Sequence, residues 1–249
     1  MNVIIPSYKR ADGLTGKDYF SMAKYCVPES QADEYLKVLK DQKRIITLPD
    51  DQDGNISRKR NWILKNIDRP LIMMDDDVRR LVYWDKRHEQ YLSRIVEKDD
   101  VDYLFHEWVS LAEQFNVKLF GLAQNKDDRS FKEYAPFNLS RIILGPFSGH
   151  LEHPLLYDES VGLTEDYDMC LQHLQKYKKV LRINKFAYDC DHRTNSGGVV
   201  SFRTLEFEVE SCKKIMLKWG KSIIQYRIPP KKHTDVLNAK KVNVPIAGI

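Results

Sequence analysis

Residues 71–78 read Leu-Ile-Met-Met-Asp-Asp-Asp-Val, a short apolar run that ends in three consecutive carboxylates. Asp75 and Asp77 are two apart, so extended backbone would point both side chains the same way. Two adjacent carboxylates repel unless a cation or hydrogen-bond donors compensate. An oxygen-only pair suits Mg²⁺ or Mn²⁺, which take one or two carboxylates and complete the shell with water and substrate phosphates. The chemistry expected is metal-assisted work on a nucleotide-linked substrate; the plainer account is a solvated, Asp-rich turn.

Two further segments carry reactive groups. Thr164-Glu165-Asp166 stands at an expected helix start, where the dipole alone would favour acids, and where a carboxylate could also serve as general base. Asp189-Cys190-Asp191-His192 precedes the Asn-Ser-Gly-Gly turn at 195–198. His192 could complete a metal shell begun by Asp77, since imidazole is an acceptable Mn²⁺ ligand, although a lone His is more often structural.

Donor-binding groups are also present. In Pro6-Ser7-Tyr8-Lys9-Arg10, Tyr8 could stack on a nucleobase, while Arg10, Arg58 and Arg60 could neutralise a diphosphate through their planar forks. Asp50 and Asp51 form another acidic pair. Gly145 and Gly149, in Gly-Pro-Phe-Ser-Gly-His at 145–150, allow close backbone approach or simply a turn.

Elements that would hold these residues alternate along the chain. Apolar runs over 2–5, 23–27, 44–48, 71–74, 117–122 and 141–144 predict buried strands. Helical spacing predicts helices over 30–39, after Ser57 as N-cap, over 101–115, after Thr164 as N-cap, and over 204–219. This alternation implies an α/β fold with a mostly parallel sheet flanked by helices. Open α/β sheets bind ligands beyond the carboxyl ends of their strands, where the segments at 6–10, 50–51 and 75–77 would all fall.

A chain of 249 residues fits one α/β domain with a small appendage. From Lys218 to Ile249 seven Lys or Arg face the single Asp235, so that segment carries 7 − 1 = +6 and residues 1–217 carry +4 − 6 = −2. The division expected is a catalytic domain over 1–200 and a helical, basic C-terminal extension over 201–249. A basic extension suits a polyanion such as DNA or RNA, or is a solvated tail. Cys26, Cys170, Cys190 and Cys212 lack C-x-x-C spacing, which argues against a zinc site or a disulfide framework and fits a reducing cytoplasm. The opening Met-Asn-Val-Ile-Ile-Pro lacks a leader pattern and no apolar run is long enough to span a bilayer, so no membrane association is expected.

Taken together, the ordered set resembles GT-A fold nucleotide-sugar glycosyltransferases across residues 1–200. It comprises a strand then Pro-Ser-Tyr-Lys-Arg, an Arg60-Asn61 helix after an acidic loop, Asp75-Asp76-Asp77 as a D-x-D motif, a Gly-rich turn, Thr-Glu-Asp and a late His. Ile-Pro-Ser-Tyr-Lys-Arg-Ala, Asn-Ile-Ser-Arg-Lys-Arg-Asn-Trp-Ile and Met-Asp-Asp-Asp-Val are most similar to the bacteriophage TET-associated glycosyltransferases, which are thought to glycosylate 5-hydroxymethylpyrimidines in phage DNA. The resemblance implies a GT-A (Rossmann-like) sheet and a UDP-sugar donor, with Mn²⁺ or Mg²⁺ as cofactor. It places Pro6, Ser7, Tyr8, Arg10 and Gly149 at the donor site, Asp51 near the base, and Arg58 and Arg60 near the phosphates. Asp75 and Asp76 would reach the ribose or the metal, and Asp77 would bind the metal. Asp166 would be the base of an inverting reaction, with Glu165 the lesser candidate; a retaining reaction would need no base there. The implied setting is the cytoplasm of an infected bacterial host.

If duplex DNA bearing 5-hydroxymethylcytosine is the acceptor, Lys221, Arg227, Lys231, Lys232, Lys240 and Lys241 would grip its phosphates. Other readings keep many of the same residues. A nucleotidyltransferase would share the acidic strand end, a transferase acting on a saccharide or lipid-linked acceptor would share the whole site, and a binding module would share only the fold.

Overall fold

The computed structural model of the protein describes residues 1–87, 90–124, 131–152, 155–190, 204–226 and 240–243. His192, Arg227, Lys231, Lys232 and the 195–198 turn lie outside the described residues, and Lys240 and Lys241 enter only through their backbone. Ten strands form the main sheet among the described residues: β1 (Asn2–Pro6), β2 (Lys24–Pro28), β3 (Ile45–Leu48), β4 (Leu71–Met74), β5 (Val78–Arg87), β6 (Gln90–Ile95), β7 (Leu119–Ala123), β8 (Phe137–Asn138), β9 (Phe147–His150) and β10 (Leu181–Cys190). Their order is β3-β2-β1-β4-β9-β7-β10-β5-β6, with β8 also paired to β10. β3, β2, β1 and β4 are mutually parallel, and only β9, β5 and β8 run against the common direction. Helices α1 (Ala32–Leu39), α2 (Ile56–Asn66), α3 (Val101–Gln114), α4 (Glu165–Tyr177) and α5 (Leu205–Trp219) flank it, and β11 (Ile224–Tyr226) pairs separately with β12 (Lys240–Val242). The α/β class expected from the sequence holds. Among the described residues no helix is long and apolar enough to cross a membrane.

Period-two alternation explains the two cores. Val3, Ile5, Ile72 and Met74 face one side, packed with Tyr35 of α1 and Phe105 and Trp108 of α3. Ile4, Leu71 and Met73 face the other, packed with Ile63 and Leu64 of α2, Leu171 and Leu174 of α4 and Ile215 of α5. With both faces of β1 and β4 covered, these strands read as continuous apolar runs.

Two local expectations need correction, and three strands were not expected. Asn55, not Ser57, caps α2: its Oδ1 accepts from Arg58 N at 2.8 Å, while Ser57 is buried in the first turn. Residues 141–144 are not a strand. Ile143 packs over the face of the sheet, where a Cβ on Gly121 would come within 2.4 Å of it, and the place beside β4 is taken by β9, with Leu71 opposite His150. β5, β6 and β10 went unread from the sequence because their polar residues break the apolar runs.

β9 also accounts for Gly149. A Cβ there would lie 2.0 Å from two carbons of the buried Phe120 ring, so the missing side chain makes room for core packing. Gly149→Ala is expected to lower unfolding stability by about 1–3 kcal/mol, as overpacking of a rigid core does, and urea denaturation will read it directly.

Candidate active site

β1 and β4 are adjacent and parallel, so the segments after Pro6 and after Met74 emerge together at one sheet edge. β9 enters from the same edge, and Asp75 N donates to Pro146 O at 3.2 Å. The acids after Met74 do not continue as extended chain. Val78 N donates to Asp75 O at 3.2 Å, closing a turn that sends the three carboxylates to different partners. The expectation that Asp75 and Asp77 share one face of a strand fails for this reason.

Asp76 faces β1 and is buried. It receives the Ser7 hydroxyl at 2.5 Å and Arg10 Nη1 at 2.6 Å. Burial still holds its carboxyl above the ordinary value, against the pull of Arg10. Ser7 Oγ also lies 2.7 Å from Tyr35 Oη of α1, and Lys59 Nζ donates to Ser7 O at 2.6 Å. Lys59 is buried as well and pairs with Asp53 at 3.3 Å; burial draws its pKa down.

Asp75 faces the opposite way, onto Arg60. Arg60 Nη2 donates to Asp75 Oδ1 at 2.7 Å and to Gly145 O at 3.2 Å, and Nη1 donates to Glu165 Oε1 at 3.0 Å. The guanidinium is only 2% exposed. Burial works against its charge, but Asp75, Tyr157 and Glu165 outweigh that and raise its pKa. Arg60 joins the turn after β4 to the start of α4. Gly145 makes this possible: a Cβ there would stand 2.8 Å from Arg60 Nη2.

Asp77 is the member of the trio with no side-chain partner on its buried oxygen among the described residues, and Arg10 offsets its burial only in part. Its Oδ1 is buried with no hydrogen-bond partner among the described residues, and burial, then Asp75 and Asp76, push its carboxyl up to about 7. An orphaned carboxylate oxygen beside two other acids fits a hard divalent cation, which would bind Asp77 and remove the repulsion. No group of three or more His, Cys, Asp or Glu side chains poised for a metal occurs among the described residues. The site therefore fits a cation that takes one or two carboxylates from the protein and the rest of its shell from substrate and water.

The two acids of α4 divide in the same way. Glu165 is buried under Arg60, and burial together with Asp166 raises its carboxyl to about 7. Asp166 is half-buried; its Oδ2 accepts from Gly145 N at 3.1 Å and its Oδ1 from Tyr167 N at 2.8 Å. It lines a small cleft with Leu144, Gly145, Ser148 and Tyr157. Thr164 occupies the N-cap position, but its hydroxyl donates back to Val161 O at 2.8 Å and leaves the helix end uncapped by it.

Tyr8 is 40% exposed, and Lys9 Nζ and Lys59 Nζ lie over its ring at 5.2 and 5.4 Å from the centroid. Arg58 is half-buried on the first turn of α2. Asp51 is exposed after β3, while Asp50 accepts from Ser30 N and Oγ. Sequence reasoning missed Lys59, Asp53 and Tyr35. The available signal was the polar run Lys59-Arg60-Asn61 on the face of α2 that also carries Ile63 and Leu64. Asn61 closes on Tyr157 from both ends of its amide, at 2.7 and 2.9 Å, fixing the loop ahead of α4.

In comparisons with known proteins, the family described as TET-Associated Glycosyltransferase matches residues 1–198, a span that holds both acidic segments and the residues around them. No curated protein matches the chain.

Proposed function

The chain belongs to the TET-associated glycosyltransferase family and is a glycosyltransferase, and from this and the geometry of its site we propose that it transfers a sugar from a UDP-sugar to the hydroxymethyl group of 5-hydroxymethylcytosine in DNA, with inversion and with Asp166 as base. The observation that carries the reading is the meeting of two acidic segments, 75–77 and 165–166, at one sheet edge beside Tyr8, Arg10 and Lys59.

On this reading Tyr8 stacks on the uracil. Asp76, fixed by Ser7 and Arg10, faces the ribose, and Asp77 with the outer part of Asp75 faces the diphosphate. Asp77 and Asp75 would hold Mn²⁺ or Mg²⁺, which when bound offsets negative charge on the departing diphosphate. The acceptor hydroxyl oxygen forms a bond to the anomeric carbon as the bond from that carbon to the diphosphate oxygen breaks. The bonding pair leaves with UDP and the hydroxyl proton passes to Asp166. Backbone N–H groups of Gly145 and Tyr167 fix both oxygens of Asp166, so a carboxylate is already oriented when the acceptor arrives. Glu165, buried against Arg60, orients that segment and takes no proton.

DNA as acceptor is supported by the family and by the basic C-terminal segment. Lys221 follows α5 and is exposed; Arg227, Lys231 and Lys232 would extend the same charge along the phosphates. A hydroxymethyl group on cytosine C5 projects into the major groove, and the base can also be flipped to reach Asp166.

The test is transfer from a panel of radiolabelled UDP-sugars, with Mn²⁺ or Mg²⁺, to duplex DNA containing 5-hydroxymethylcytosine beside an unmodified duplex. Label on the modified duplex alone is the expected result and names the donor. Metal-dependent UDP release with no label on either duplex would sink the DNA acceptor and redirect the search to saccharides.

A further inference from the structure

We infer that α5, which lies beyond the residues matched by the family, is a positioning element for the Asp166 carboxylate, with Ser211, Lys218 and Trp219 as its positioning residues. The inference rests on Asp166 as the base proposed above.

α5 grips the chain on both sides of that residue. Upstream, Gly162 has φ +65°, and a Cβ there would stand 2.4 Å from Ser211 Oγ, so α5 approaches the backbone as closely as a glycine permits. Ser211, only 1% exposed, accepts from Leu163 N at 3.1 Å and donates to Phe207 O at 2.8 Å. The hydroxyl of Thr164 lies 3.5 Å from Ser211 O. Downstream, Asp168 is fully buried and takes Trp219 Nε1 at 2.7 Å and Lys218 Nζ at 2.9 Å, with Gln172 Nε2 at 2.6 Å from its own helix. Lys218 also reaches Asp158 at 2.7 Å, tying the loop before α4 to the same ammonium. Thr164 and Asp168 stand two residues either side of Asp166, and α5 contacts both.

The donor side is held by other bonds: Ser7 to Asp76 and Tyr35, and Lys59 to the Ser7 carbonyl. Arg60 holds Glu165 and Asp75 together but does not bond Asp166, so loosening α5 should displace the Asp166 carboxylate while leaving the nucleotide pocket intact. A shift of about 1 Å in a reacting group costs on the order of 100-fold in rate.

Ser211→Ala removes the acceptor for Leu163 N at little cost in packing, and Lys218→Met removes the ammonium from a half-exposed position. Turnover would be read as UDP release from the UDP-sugar with duplex DNA containing 5-hydroxymethylcytosine, and affinity by titration with UDP and Mn²⁺. In the combined variant kcat is expected to fall about 10- to 100-fold with UDP affinity changed less than about threefold, and Lys218→Arg alone should keep most of the rate. Unchanged kcat in the combined variant would overturn the inference. So would a loss of UDP affinity in step with kcat, which would make α5 a prop for the whole domain. Asp166→Asn assayed alongside separates the two levels. If it is inactive while the α5 variants are normal, only the role of α5 falls; if it is fully active, the base assignment falls first and takes the role of α5 with it.

Discussion

Replacing Asp166 with Asn should lower kcat by about 10²–10⁴, the range a general base contributes, while the KM for the UDP-sugar stays near its normal value. The amide can still receive one backbone N–H, so its placement survives, but it has no basic oxygen for the acceptor proton. Glu165→Gln should cost far less, about tenfold at most, because the amide oxygen still accepts from Arg60 and its neighbour remains the base. Steady-state UDP release on both variants decides between the two acids. The reverse ranking would make Glu165 the base and Asp166 its support, and equal small losses would point to a retaining reaction that needs neither.

Asp77→Asn should have two opposite effects. Turnover should be lost, because the variant lacks the one carboxylate of the trio with a buried, unpartnered oxygen for a cation among the described residues. Stability should rise. The folded carboxyl of Asp77 is pushed up to about 7 from an ordinary 3.8, first by burial and then by Asp75 and Asp76. Between these two values the folded state binds more protons than the unfolded chain, so this group lowers stability as pH climbs from about 4 to about 7, and the loss persists above that. The amide removes the penalty. At pH 8 without metal, Asp77→Asn should be more stable than the parent by on the order of 1 kcal/mol after solvent screening is discounted, a rise of a few degrees in Tm. Near pH 4 the difference should vanish. Mn²⁺ should raise the Tm of the parent and leave the variant unmoved; a variant that responds equally to Mn²⁺ would remove Asp77 from the metal site. The pairing of lost activity with gained stability separates this role from a structural one, which would lose both.

The strands that carry these residues were legible because they are buried on both faces. Leu71 to Met74 has no polar interruption, and its end coincides with the acids, so both the strand and the chemistry stood out in the sequence. β10 did not, since Arg182, Asn184 and Lys185 interrupt its apolar residues. The 141–144 segment misled for the opposite reason: Ile142 and Ile143 are apolar because they pack into the core beside the sheet, without being part of it. In the site, residue types were informative and directions were not. The D-x-D pattern announces three acids, but only the turn closed between Asp75 and Val78 decides that Asp76 meets Arg10, Asp75 meets Arg60 and Asp77 meets neither. Arg58, Lys59 and Arg60 look alike as a basic run, yet helical rotation leaves the first half-exposed and buries the other two. Such long-range choices depend on segments about a hundred residues apart, as Arg60 and Glu165 are, and no local pattern reports them.

The guanidinium shared between Asp75 and Glu165 also constrains how the enzyme can be altered. A single planar group reads the position of both acidic segments, so neither can drift without the other. Exchanging the loop after β4 to recruit a different sugar nucleotide would shift the start of α4 as well. Successful redesign of the donor pocket should therefore require transplanting residues 60, 75, 145 and 165 as one unit, and chimaeras cut between them should fold yet turn over poorly.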